Sequence, residues 1–197
     1  VIGKKIQSST VYLCSEVVGN KDLWLVILGS ISDHFVPESY GKFQKEYPDL
    51  AIDYLRQGLK IVNEIDDDYT KIRILFGFSR YYRINNKMDK AFDYINQSIA
   101  LGKEFGDNSL LVSSLSDLGT LFLINGKIDS CIHYQNLTLS IAQELDDRLG
   151  IINAYTQLGV AYYNKGEIEK SLLYFNESYI RSELIKDNLY NVRTKSR

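Results

Sequence analysis

Asp67, Asp107, Asp147 and Asp187 stand 40 residues apart, and so do Tyr54, Tyr94, Tyr134 and Tyr174. Asn96, Asn136 and Asn176 form a third column in the same register. Leu118-Gly119 and Gly126 stand 40 before Leu158-Gly159 and Gly166. Self-similarity at a fixed period of roughly 20–50 residues is the mark of a solenoid or array. The copy from Arg148 to Asp187 contains two amphipathic stretches joined at Asn164-Lys165-Gly166-Glu167. A pair of helices cannot bury its apolar side alone, so successive copies must stack.

Hydrophobic spacing places the elements. Ile52, Leu55, Leu59, Val62 and Ile65 follow the helical period, which predicts a helix over Leu50–Asp66 opened by Pro48-Asp49. Further helices are predicted over Tyr69–Ile84, Met88–Phe105, Ser109–Ile124, Ile128–Leu145, Leu149–Asn164 and Ile168–Ile185. The loops are short, so neighbouring helices run antiparallel. The aspartate column falls where each copy begins, where a carboxylate can accept from free backbone N–H groups at the positive helix end. Residues 1–47 read as N-terminal helices, a degenerate repeat or cap: one helix over Lys4–Val18 with stripe Val11, Leu13, Cys14, Val17 and Val18, and a second beginning at Asp22 and interrupted near Pro37. Residues 48–187 hold the repeats, and residues 188–197 begin a capping or further first helix.

Small and aromatic residues inside each copy resemble the tetratricopeptide repeat family. Its pattern has a small residue in the first helix, an aromatic three positions later and a small residue opening the second helix. Gly159, Tyr162 and Ser171 match, as do Gly119, Phe122 and Cys131, and Ser79, Tyr82 and Ala91. Two features depart from it. The early aromatic of the first helix is Tyr155 in one copy but Leu115 and Leu75 in the others, and the period is 40 instead of the commoner 34. Six extra residues add about 9 Å of helix per repeat. Long repeats of this kind are similar to those of peptide-pheromone receptors and the sensory halves of bacterial signalling proteins. The resemblance implies an all-α, right-handed superhelical solenoid of antiparallel helix pairs, with three and a half to four repeats.

Composition narrows the function. A net charge of −2 gives no electrostatic case for nucleic acid or an anionic membrane. No run approaches the ~18 apolar residues of a spanning helix. The two cysteines, Cys14 and Cys131, fit a reducing, cytoplasmic setting and read as buried small thiols. The start, Val1-Ile2-Gly3-Lys4-Lys5, lacks a methionine and reads as the interior of a longer protein or as a trimmed chain, not as a signal peptide. His34 and His133 lack metal-spaced companions, and the phosphate-cradling and nucleophile-elbow motifs are missing. We therefore expect no enzyme, no metal and no cofactor.

Binding remains. The resemblance implies that first helices line a concave groove. By register this groove presents Arg73, Phe76, Arg80 and Arg83 in one repeat, Ser113, Ser116 and Thr120 in the next, and Asn153, Thr156 and Tyr163 in the last. The arginines recur at helical spacing and suit a carboxylate; the hydroxyl and amide rows suit a peptide backbone. The alternative for the arginines is ion pairing within the array. Tyr81-Tyr82 and Tyr162-Tyr163 are each expected to place one ring inward and one in the groove. Family members that hold a chaperone tail use a lysine and asparagine clamp; Phe76 and Arg80, then Ser116 and Thr120, stand in its place, which argues against that partner. The expectation is a protein- or peptide-binding module, the sensory or scaffolding part of a bacterial signalling protein. The alternatives are a pheromone-receptor domain of a transcriptional regulator and a self-assembly module such as a homodimer.

Overall fold

The computed structural model describes the backbone of residues 48–195. Helices expected over residues 1–47, the interruption at Pro37 and the setting of Cys14 lie outside the described residues. The described chain is all helix: α1 (Pro48–Ile65), α2 (Asp68–Ile84), α3 (Met88–Phe105), α4 (Asn108–Ile124), α5 (Ile128–Glu144), α6 (Arg148–Lys165) and α7 (Ile168–Lys195). Among the described residues no helix is long and apolar enough to cross a membrane. The described residues divide into two compact units, one ending at Ala91 and the other beginning at Phe92.

One backbone device stops six of the seven helices. Asp66, Asn86, Gly106, Gly126, Asp146 and Gly166 all have positive φ, between 51° and 83°, and they stand 20 residues apart. A single left-handed residue ends a helix most cheaply as glycine, with asparagine and aspartate next. The turn is then closed by a bond back to the last helical turn: the N–H of Lys127 donates to the Phe122 carbonyl at 2.8 Å, and that of Glu167 to the Tyr162 carbonyl at 3.0 Å. The next position in the series is Lys186. A lysine pays the full steric cost of the left-handed conformation, and nothing there breaks the helix. Accordingly α7 runs on for 28 residues to Lys195. The boundary expected after Ile185 is absent, and Asp187 lies inside a helix.

The other three aspartates of that column do cap first helices. Asp67 accepts from the Thr70 N–H at 3.0 Å and its hydroxyl at 2.7 Å. Asp107 accepts from the Ser109 N–H at 2.8 Å and its hydroxyl at 2.6 Å. Asp147 accepts from the Gly150 N–H at 3.0 Å. These bonds satisfy backbone donors that no helical carbonyl can reach.

In the first unit α1 packs on α2 around Ala51, Leu55, Val62, Ile72 and Phe78. The Ser79 hydroxyl donates to the Ala91 carbonyl at 2.8 Å, tying α2 to the start of α3. In the second unit α4 packs on α5, α5 on α6 and α6 on α7, while α4 also touches α6 directly. Here the bond between paired helices runs the other way: the Ser171 hydroxyl of α7 donates to the Gly159 carbonyl of α6 at 2.8 Å. Tyr54, Tyr94, Tyr134 and Tyr174 are all half-buried between helices, as a ring with a polar tip should be.

Candidate protein-binding face

In the first unit α2 carries Arg73, Phe76, Arg80 and Arg83, all half-buried. Arg73 and Arg80 are seven residues apart and share a side of the helix. The Arg73 guanidinium lies 5.6 Å from the centroid of Tyr69, and that of Arg80 lies 5.7 Å from Phe76. Ring quadrupoles thus orient two planar cations along α2. Tyr81 departs from the expected groove position. Both Tyr81 and Tyr82 are 8% exposed, packed edge-on with centroids 5.2 Å apart. Burial raises the Tyr81 phenol above its ordinary pKa, with nearby Asp49 of α1 adding to the shift. The neighbouring helix α1 therefore occupies the side that the spacing assigned to a ligand.

In the second unit the predicted residues divide into two groups. Ser113, Asn153 and Tyr163 are exposed on α4 and α6, whereas Thr120 and Thr156 are half-buried. Ser116 is 3% exposed and is a corner of a buried polar network. The Gln135 amide of α5 donates to the Ser116 carbonyl at 2.8 Å, and Asn153 of α6 donates from Nδ2 to the Ser116 hydroxyl at 3.0 Å. Thr120 donates to the same Ser116 carbonyl at 3.0 Å. Three helices are joined through one serine, so Ser116 orients the face and is not itself open to a ligand. Thr156 is engaged in a similar way: its hydroxyl bonds the Ile152 carbonyl at 2.9 Å and shares a 2.7 Å contact with the Ser178 hydroxyl of α7.

Asn153 consequently sits on the first-helix face with its carboxamide fixed. One N–H is held by Ser116; the amide oxygen has no partner among the described residues, and the residue is exposed. A fixed carboxamide offers an acceptor and a remaining donor side by side, which is the complement of a peptide unit. Tyr163, ten residues further along α6, is 63% exposed. Tyr162 beside it stacks on Tyr174 at 5.2 Å, so this pair does divide into one inner and one outer ring. Among the described residues no cluster of His, Cys, Asp and Glu could hold a metal. His133 is exposed, edge-on to Tyr134.

Gln135 and Ser178 hold two of the candidate residues, Ser116 and Thr156, and the repeat pattern did not single them out. The signal for Gln135 was its column: Leu55, Ile95 and Phe175 occupy the same register, so an amide there is a lone polar member in an apolar row.

Stacked antiparallel helix pairs without strands among the described residues define an all-α helical-repeat fold. Residues 110–179 match the tetratricopeptide repeat model. No curated protein sequence matches it. Among solved structures it is similar to BtubC (BKLC) from P. vanneervenii, with 18% identity, a TM-score of 0.74 and 91% of this chain aligned to 72% of that one. It is also similar to aspartyl phosphate phosphatase F from Bacillus subtilis, with 16% identity, a TM-score of 0.71 and 90% of this chain aligned to 44% of that chain. A third similar structure is a signal transduction ATPase with numerous domains and a tetratricopeptide repeat sensor from Pyrococcus horikoshii. There the identity is 17%, the TM-score 0.62 and the coverage 87% of this chain and 25% of that chain. Tetratricopeptide repeats build protein-interaction or scaffold modules.

Proposed function

We propose that the chain is a non-catalytic, cytoplasmic module that binds an extended peptide segment of a protein, serving as the sensory or scaffolding part of a bacterial signalling protein. The observation that carries the reading is the exposed Asn153 carboxamide held by Ser116 and, through it, by the buried Gln135. Orienting the amide before a ligand arrives lowers the ordering cost of binding. Ser113 and Tyr163 flank it on the same pair of first helices, giving a hydroxyl and a ring with a polar tip. In the first unit, the ring-oriented Arg73 and Arg80 are assigned to a carboxylate or similar anion, since a guanidinium meets such a group with two parallel hydrogen bonds. The signalling context draws support from similarity to a structure that contains a tetratricopeptide repeat sensor. Pheromone-receptor and self-assembly roles remain the alternatives in this class.

The test is to pan a displayed random-peptide library on the immobilised chain and to measure selected peptides against variants. Asn153→Ala should weaken binding by about tenfold, near the ~1.4 kcal/mol of one well-placed hydrogen bond, with little change in melting temperature. Arg80→Ala should weaken peptides bearing a carboxylate and reduce the salt dependence of their affinity. Peptides that bind Asn153→Ala, Tyr163→Ala and Arg80→Ala as well as they bind the wild type would refute this reading.

A further inference from the structure

The turn between α4 and α5 reads Asn125-Gly126-Lys127, and no other asparagine in the sequence is followed by glycine. The pairing follows from the turn. Asn125 ends α4 with φ −84° and ψ 12°, and Gly126 takes the left-handed φ of 74°. The junction after α2 meets the same demand with Asn85-Asn86-Lys87, where Asn86 has φ 55°. Glycine fills this place at the least steric cost, and it leaves the backbone nitrogen of residue 126 unscreened by any side chain.

What holds the carboxamides also differs between junctions. Asn85 donates from Nδ2 to the Tyr81 carbonyl at 2.8 Å, and Asn164, near the end of α6, donates to the Val160 carbonyl at 2.8 Å. The Asn125 side chain has no hydrogen bond among the described residues, and Asn125 and Gly126 are both exposed. A Cβ built on Gly126 would meet nothing within 4 Å, so the space around it is open. At ψ 12° the Gly126 nitrogen is turned away from the Asn125 side chain. Bringing them together takes rotation about the Cα–C bond of Asn125. That rotation releases the Gly126 N–H from the Leu123 carbonyl, a 3.0 Å bond at the helix end, where opening is cheap.

We propose that Asn125 is a self-modification site, at which the chain deamidates and leaves an isoaspartyl link in the α4–α5 turn. Asparagine is among the chemically labile residues. The Gly126 nitrogen attacks Asn125 Cγ and gives up its proton; a C–N bond forms, the Cγ–Nδ2 bond breaks, and ammonia leaves with that proton. Water then opens the cyclic imide. Attack of water at Cγ gives aspartate in an ordinary backbone. Attack at the backbone carbonyl carbon gives isoaspartate, whose main chain runs through Cβ and Cγ. Nothing is oxidised or reduced, and water is the sole co-reactant. Either product places a new negative charge at the C-terminal end of α4, where the helix dipole opposes it. The iso form also lengthens the main chain by a methylene. The bond from the Lys127 N–H to the Phe122 carbonyl closes the turn only at the ordinary spacing, so the iso form loosens α4 from α5. This inference is independent of the peptide-binding reading.

The test incubates the folded 197-residue chain at mildly alkaline pH and maps its peptides by mass spectrometry. The mass gain of amide-to-acid conversion reports deamidation, and labelling by an isoaspartyl methyltransferase reports the iso link. Asn125 should convert several-fold faster than Asn85 and Asn164 in the same sample, with isoaspartate among the products. Gly126→Asn recreates the Asn85-Asn86-Lys87 junction, so folding should be kept while conversion of Asn125 slows several-fold. The aged wild type should melt below Asn125→Asp, which carries the new charge on an ordinary backbone. Conversion of Asn125 no faster than that of Asn85 overturns the proposal, as does conversion to aspartate alone or a Gly126→Asn chain that converts at the wild-type rate. Equal melting of the aged wild type and Asn125→Asp overturns the loosening of the turn.

Discussion

The backbone of Gly159 in α6 lies against the ring of Phe175 in α7: a Cβ on the glycine would fall 2.8 Å from Cδ1 and Cε1. The equivalent Gly119 meets Gln135, with a Cβ 2.6 Å from its Nε2. Phe175 is 37% exposed and can turn outward; Gln135 is fully buried and its Nε2 holds the Ser116 carbonyl. Leucine at either glycine should destabilise by about 1–3 kcal/mol or more through overpacking. Alanine should separate the two sites. Gly119→Ala should cost more than Gly159→Ala, because only the former displaces a buried hydrogen bond. Chemical denaturation of the four variants checks the order; equal midpoints for the two alanine variants would refute the assigned packing.

Asp107 yields a prediction with a pH sign. The Ser109 hydroxyl holds its carboxyl below the ordinary value of 3.8; burial opposes this, and the Ser109 and Leu110 N–H groups assist it. A lowered folded-state pKa gives a contribution that is present above the ordinary value and is lost as pH falls through the folded one. Asp107→Ala should therefore cost ~1 kcal/mol near neutrality, the usual size of a cap. The gap between wild type and variant should close as the pH falls below the ordinary carboxylate value. Thermal melts across acid pH follow it, and a gap that widened in acid would contradict the cap.

Cys131 is fully buried in α5, and burial pushes its thiol from 9.0 up to about 11. Because the folded value is raised, this group's stabilising contribution is full below 9.0 and is lost as pH rises towards 11. Protonated and covered, the thiol should be inert to a bulky alkylating reagent at neutral pH. In a Cys14→Ser background, labelling should appear only as fast as the chain opens, so denaturant should accelerate it steeply. Fast labelling of the native chain would show that position 131 is not at a closed helix contact. Cys131→Ala should be tolerated, since Ala51 and Ala91 occupy the same column.

The sequence by itself determined the period, the helices and most of their ends. Those features are local: a capping carboxylate reaches only two or three residues along its own chain, and a left-handed residue acts on its own turn. Asp67, Asp107 and Asp147 could be recognised as caps, and Gly166 as part of a junction between helices, before any fold was known. The continuation of α7 followed from the same chemistry at Lys186 but was hidden by Asp187, which shares the column of the caps without their preceding turn. Only the tertiary structure decided which polar side chains remain open. Ser113, Ser116 and Asn153 are alike in a sequence pattern, yet the first and last are exposed and the second is enclosed. The cause is Gln135, 19 residues from Ser116 in the chain, which reaches across from α5. The exposure of Leu173, Ile180 and Leu184 in α7 had the same origin, for a leucine at helical spacing reads as core until the packing shows which side has a neighbour. Hydrophobic burial carries no direction of its own, so periodicity names a stripe, and the neighbouring helices decide whether it is covered.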